Sequence, residues 1–207
     1  MKPLSVNIRS FKGNKLYLIP FGDWHIGSYF CNEEKIKRWI DWIKHNPCGV
    51  ILMGDLMEAA TRYSIGAGVY EQLSPNDQLN RVIELLEPVK EKILGIHIGN
   101  HEDRIYKETG INITERIAKE LNIKYLGWAC FHKIKVGNMS YMIYSTHGSS
   151  SSSLPHTKIK ACIDLARSFD ADCYLMGHTH ELETHTALYQ EIKKNRITER
   201  KRLFVLT

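Results

Sequence analysis

Five apolar runs in this 207-residue chain each stop at an aspartate, an asparagine or a histidine, and that recurrence constrains the fold more than any other feature. Residues 16–21 lead into Asp23-Trp24-His25 and residues 50–53 into Gly54-Asp55. Residues 93–98 lead into Gly99-Asn100-His101-Glu102, residues 141–146 into His147-Gly148, and residues 173–176 into Gly177-His178-Thr179-His180. A short apolar run bounded by turn residues reads as a buried strand. One polar residue at such an end is more often a turn or a cap than a ligand. Five in order are hard to assign to caps, and in open α/β sheets the ligand site lies just outside the carboxyl ends of the strands. The five ends therefore predict a single site built from oxygen and nitrogen donors.

The length suits one domain spanning residues 1–207, with a substantial core. Hydrophobic residues at 43% and charged residues at 25% are those of an ordinary globular protein, and no apolar run approaches the ~20 residues that a membrane helix requires. The first residues, Met1-Lys2-Pro3-Leu4-Ser5, lack the apolar core of a signal peptide, which places the protein in the cytoplasm. Cys31, Cys48, Cys130, Cys162 and Cys173 are odd in number and without Cys-x-x-Cys spacing, so free thiols are expected rather than disulfides or a zinc knuckle. A net charge of +5 permits an anionic substrate without requiring one.

Between the strands the helical signals are clear. Asn32 is a fitting N-cap, with Glu33 and Glu34 in the first turn, and Ile36, Trp39, Ile40 and Ile43 form a core stripe. Ser74-Pro75 opens a second helix whose stripe is Leu79, Val82, Ile83 and Leu86, and which Pro88 should kink or end. Further helices are predicted at residues 114–121 and 158–169. Gly137-Asn138 between residues 130–136 and 139–145 predicts a two-residue hairpin with positive φ at its first turn position. Residues 1–13 suit an edge strand or a tail equally. Residues 59–73, with Arg62, Tyr63, Gly66 and Gly68, form a long irregular segment leaving one of the site strands, and Ser149 to Ser153 read as a flexible solvated loop. The chain closes with residues 184–192, a turn at 193–196 and a last strand at 203–206.

The ordered set Asp-x-His, Gly-Asp, Gly-Asn-His-Glu, His, Gly-His-x-His resembles the calcineurin-like metallophosphoesterase superfamily, from Asp23 to His180 and with no motif position missing. The resemblance implies a four-layer α/β/β/α sandwich of two mixed β-sheets flanked by helices, with the ligands on loops at one edge. It implies two divalent metal ions, one held by Asp23, His25, Asp55 and His180 and the other by Asp55, Asn100, His147 and His178, so that Asp55 bridges. Family members continue past a strand like the last one here, which makes Thr207 a truncation or domain boundary on this reading.

Those residue types suit phosphate ester hydrolysis. A carboxylate can bridge two cations, while neutral imidazoles and an amide carbonyl complete the coordination without adding negative charge against a phosphate. A hydroxide bridging the ions would attack phosphorus in line with the leaving oxygen. By resemblance His101 protonates the leaving group or stabilises the transition state, with Glu102 orienting it. Arg104 is a candidate phosphate clamp, with a salt bridge in the following turn as the equal alternative, and Ser149 is a candidate hydrogen-bond donor to substrate. His45, His97, His132, His156 and His185 fit no motif and are read as surface or core residues.

The resemblance says less about substrate. A phosphodiesterase or nuclease is preferred, with a nucleotide or protein phosphomonoesterase as the alternative and a non-catalytic scaffold as the alternative of another class. Lys193, Lys194, Arg196, Arg200, Lys201 and Arg202 form a basic stretch that could follow a nucleic-acid backbone, although such a run is usually a solvated hairpin. Small prokaryotic and phage-type members look similar in the Gly-Asp-Leu-Met-Glu and Glu71-Gln72 segments. The ligand set accepts manganese, the preferred metal, as well as iron, zinc or nickel.

Overall fold

A computed structural model describes residues 5–61, 64, 73–149, 154–193 and 195–207. The chain divides into two compact units, one formed by residues 15–128 and the other by residues 1–14 with 129–207.

The first unit holds a four-stranded sheet in the order β2-β3-β4-β5, with β2 at Tyr17–Phe21, β3 at Cys48–Leu52, β4 at Ile93–His97 and β5 at Tyr125–Gly127. All three pairings are parallel, so this sheet is not mixed as expected. The reason is that helical segments separate its strands and no hairpin turn joins them, and parallel neighbours need such crossovers. Every residue of β3 and β4 is buried, which matches their continuous apolar sequences. Helix α1, Glu33–His45, is capped as predicted, with the Asn32 side chain accepting the Lys35 N–H at 3.0 Å. Ile36, Ile40 and Ile43 are buried, but Trp39 is 41% exposed and is not core. It stands at the edge of the stripe and meets Trp42 edge to face. Helix α2, Pro75–Leu86, begins at a Ser74 cap and passes into a 3-10 segment at Glu87–Lys92, where Pro88 ends the regular helix.

Two helices follow β4. Helix α3, Asn100–Thr109, starts at the Gly-Asn-His-Glu motif itself, and helix α4 covers Ile113–Glu120. The sequence of α3 carries too few apolar residues to show a helical stripe, which is why it reads as a strand end followed by a turn. Ile117, Leu121, Val82, Leu86 and Ile43 share one core beneath the parallel sheet's strands. Fully burying such a side chain contributes about 1.5–3 kcal/mol.

The second unit is built on a six-stranded mixed sheet, ordered β1-β6-β7-β8-β10-β9. Its strands are β1 Ser5–Phe11, β6 Ala129–Val136, β7 Met139–Thr146, β8 Cys173–Met176, β9 Glu183–Lys193 and β10 Arg196–Leu206. Residues 5–11 thus settle as an edge strand, parallel to β6. The β6–β7 hairpin turns at Gly137 with φ of 55°, as its Gly-Asn pair predicts. Helix α5, Pro155–Asp164, ends five residues before the expected point and continues as a 3-10 turn at Leu165–Arg167. Its Ile159 and Cys162 pack with Tyr174 and Phe204, whose rings stack 4.9 Å apart.

The last hairpin differs from expectation. Its second strand begins at Arg196, so most of the basic stretch lies in a sheet. Arg200 is paired with Asp170 and Asp172, and Arg202 with Asp170 while stacking on the Tyr189 ring. Those carboxylates stand far off in sequence, beyond the reach of a local charge count. Arg196 and Lys201 remain exposed, and Lys194 lies outside the described residues. All five cysteines are free, and among the described residues no helix is long and apolar enough to cross a membrane.

Candidate metal centre

In the parallel unit the ladder continues past β2 and β3. Asp23 N–H donates to the Gly54 carbonyl at 2.9 Å, Trp24 N–H to the Asp55 carbonyl at 2.8 Å, and Ile26 N–H to the Leu56 carbonyl at 3.0 Å. These bonds hold Asp23, His25 and Asp55 at φ of 52°, 51° and 49°, in the left-handed region that L-residues other than glycine seldom adopt. Strain of this kind costs about 1–3 kcal/mol per residue and persists where the surroundings over-determine it. The ligand-type atoms of His25, Asp55 and His101 lie within 4.8 Å of one another.

Asp55 is the most constrained of them. It is buried, and its Oδ1 accepts the His101 N–H at 2.9 Å at the start of α3, where the helix dipole favours a negative charge. A Cβ on Gly99 would lie 2.1 Å from that same oxygen, so only glycine lets α3 begin here. Asn100 is the first residue of α3.

The Glu102 carboxylate accepts the N–H groups of Asp55 at 3.0 Å, Met57 at 3.1 Å and Gly99 at 3.0 Å. At the third position of α3 it folds back over the helix start, as in a capping box, and fixes the backbone there. The imidazole of His101 is held by the Glu58 carbonyl, to which Nδ1 donates at 2.8 Å.

Glu58 is the residue that sequence reasoning passed over. Its side-chain oxygen receives His25 Nδ1 at 3.1 Å, and its other oxygen lies 3.6 Å from His101 Nδ1. A carboxylate only accepts, so the His25 proton sits on Nδ1, which leaves the buried Nε2 as the nitrogen that could bind a metal. Burial opposes protonation of His25, but Glu58, Asp55 and Asp23 outweigh it and raise its pKa. Burial likewise pushes the Glu58 carboxyl up, and His25, His101 and Arg104 together bring it below its ordinary value. The signal available in the sequence was a carboxylate three residues beyond Asp55, at the end of Gly-Asp-Leu-Met-Glu.

Arg104 donates from a guanidinium nitrogen to His101 Nε2 at 3.0 Å. Burial, with the nearby His25 and Arg104, lowers the His101 pKa against the pull of Asp55 and the Glu58 carbonyl. His101 is therefore a neutral acceptor at Nε2 in this arrangement.

The mixed unit carries the other three candidates. His147 follows β7 and is fully buried, and its ring lies 5.2 Å from that of His178, edge to face. His178 and His180 follow β8 at φ of 70° and 53°. Gly148 makes room for the bend, since a Cβ there would meet Met176 Cγ at 2.6 Å. Lys158 of α5 ties the turn down by donating to the Thr179 carbonyl and pairing with Glu181, each at 3.0 Å. Ser149 is exposed, and Ser150 to Ser153 lie outside the described residues, as do Arg62, Tyr63, Gly66, Gly68, Glu71 and Gln72.

Among the described residues eight that are not glycine have positive φ, and Asp23, His25, Asp55, His178 and His180 are five of them. The donors are carboxylate, imidazole and amide oxygen, a set suited to first-row divalent ions. Sulfur does not compete. Burial, with Glu33 nearby, pushes the Cys31 thiol up to about 11, and burial takes Cys162 and Cys173 to about 12, so none is a thiolate at neutral pH. Of the unassigned histidines, His97 bonds the Gly127 carbonyl and His132 the Ser145 hydroxyl inside the protein, while His45, His156 and His185 are exposed.

The family model for calcineurin-like phosphoesterases matches residues 18–182. The chain belongs to the calcineurin-like phosphoesterase family. Membership carries the metallo-dependent phosphatase fold, whose two helix-flanked sheets are those described above, and a site for divalent metal ions. No curated protein matches the chain. Among solved structures, vacuolar protein sorting 29 from Cryptosporidium parvum is similar at 13% identity and a TM-score of 0.44, covering 92% of this chain and 97% of that one. A single mutant of Vps29 from Entamoeba histolytica is similar at 14% identity and the same TM-score, covering 91% of this chain and 98% of that one.

Proposed function

We propose that this calcineurin-like phosphoesterase is a hydrolase that uses two divalent metal ions, manganese by preference, to cleave phosphodiesters. Asp23, His25, Asp55 and His180 would hold one ion, and Asp55, Asn100, His147 and His178 the other. The observation that carries the reading is the left-handed backbone at five of these positions, because strain concentrated on Asp and His side chains at strand ends is what a preorganised ligand set requires. When bound, the ions supply Lewis acidity that activates water and offsets phosphate charge.

The protein's own side chains divide the remaining work. Glu58 fixes the ring of His25 through its carboxylate and that of His101 through its carbonyl. Arg104 rests on His101 Nε2 and matches phosphate geometry with its planar fork. A phosphate that draws Arg104 away removes a cation from His101 and raises the proton affinity of Nε2, which then takes a proton from solvent and can pass it to the leaving oxygen. Arg104 thereby couples substrate binding to the acid. The retained His101 and complete ligand set favour this over a scaffold. With Arg200 and Arg202 internally paired, nucleic acid would be met, among the described residues of the basic strand, by Arg196 and Lys201.

A panel of phosphomonoesters and phosphodiesters, assayed with manganese and again after chelation, tests the reading. Metal-dependent turnover of diesters above monoesters is expected. Preference for monoesters would select the phosphatase alternative, and turnover of neither would select the scaffold.

A further inference from the structure

The turn after His25 ends in aromatic side chains at the surface. Ser28 N–H donates to the His25 carbonyl at 2.9 Å, Cys31 N–H to the Ser28 carbonyl at 3.1 Å, and Phe30 N–H to the Ser28 hydroxyl at 3.3 Å. The base of the turn is braced as well. Gly27, at φ of 101°, packs so closely on Gln78 that a Cβ would lie 2.3 Å from Gln78 Nε2. Gln78 is buried, accepts the Ala59 N–H at 2.9 Å and donates to the Leu73 carbonyl at 2.9 Å. It therefore ties this turn to the segment that leaves the Asp55–Glu58 strand end.

On that fixed frame Phe30 is 97% exposed, with Tyr29 exposed beside it. Single apolar side chains on a surface are ordinary. Two adjacent aromatics on a hydrogen-bonded turn that starts at a candidate metal ligand forgo burial at a defined place. Phe30 lies five positions after His25, at most about 18 Å away even if fully extended, and the two consecutive turns shorten that span. The neighbours Ser28, Cys31 and Asn32 bear no charge, so the turn offers exposed aromatic rings rather than a second phosphate contact.

We propose that Phe30, with Tyr29 beside it, is a stacking platform for a nucleobase adjoining the scissile phosphate, which makes the substrate a nucleoside-containing phosphodiester. The proposal rests on the phosphoesterase reading for the position of the phosphate. Every base presents a π-face, so such a platform binds without regard to base identity, and stacking on one aromatic changes affinity by about 5- to 150-fold.

The test compares a thymidine dinucleotide with the corresponding diester of two abasic sugars, by calorimetric titration and by kcat/KM, on wild type, Phe30→Ala and Phe30→Tyr. Phe30→Ala is expected to weaken dinucleotide binding about 10-fold and leave the abasic diester within about twofold, while Phe30→Tyr keeps the wild-type preference. The melting temperature should not fall, since the ring is almost wholly exposed. Equal effects on both ligands, or none, would overturn the platform. Base-dependent binding without turnover by wild type would leave the platform standing and defeat the phosphoesterase reading instead.

Discussion

Gly99 stands so close to Asp55 that a Cβ on it would lie 2.1 Å from Asp55 Oδ1 and 2.3 Å from the Asp55 backbone nitrogen. Since one of those atoms is backbone, a methyl group cannot be absorbed by a rotamer change. Gly99→Ala should therefore displace either the carboxylate or the start of α3. We expect a stability loss of about 1–3 kcal/mol, in the range of overpacked sites, together with reduced metal content. A variant with wild-type melting temperature and metal content would show that the strand end can move without cost.

Glu102 and His101 are neighbours with separable duties. The Glu102 carboxylate is buried under three backbone N–H groups, and an amide in its place turns one acceptor into a donor facing a donor. Glu102→Gln should destabilise by about 1–3 kcal/mol, a fall in melting temperature of about 2–12 °C for a chain of this size. Calorimetry checks this directly. Unchanged stability with a changed pH–rate profile would return Glu102 to the role of orienting His101.

For His101 the informative quantity is a ratio. A poor leaving group departs only when protonated, whereas nitrophenolate needs little help, so His101→Gln should cost about 10²- to 10⁴-fold on a nucleoside ester and less on a nitrophenyl ester. Arg104→Met should cost activity on both, because it removes the phosphate contact in each case. Equal losses on the two esters for His101→Gln, with metal retained, would make His101 an electrostatic stabiliser instead.

Much of this was legible before the structure. The runs ending at Asp23, Asp55, Asn100, His147 and His178 showed where strands stop, because a buried strand must be apolar and its end must turn. Asn32 and Ser74 disclosed two helix starts, since capping is a local hydrogen bond. What escaped depends on contacts remote in sequence. Glu102 meets Asp55 across 47 residues and Arg200 meets Asp172 across 28, and no local pattern reports either. Helix α3 was hidden because it is mostly polar, and Glu58 because nothing about a lone glutamate announces that two imidazoles lean on it.

The proposed function depends above all on Asp55 serving both ions. Metal-to-protein stoichiometry by plasma mass spectrometry, on wild type, His25→Ala and Asp55→Asn purified alike, measures that directly. The expected result is about two ions per chain in wild type, about one in His25→Ala and close to none in Asp55→Asn, with turnover lost in the last. An Asp55→Asn protein that keeps both ions and its activity would contradict the account.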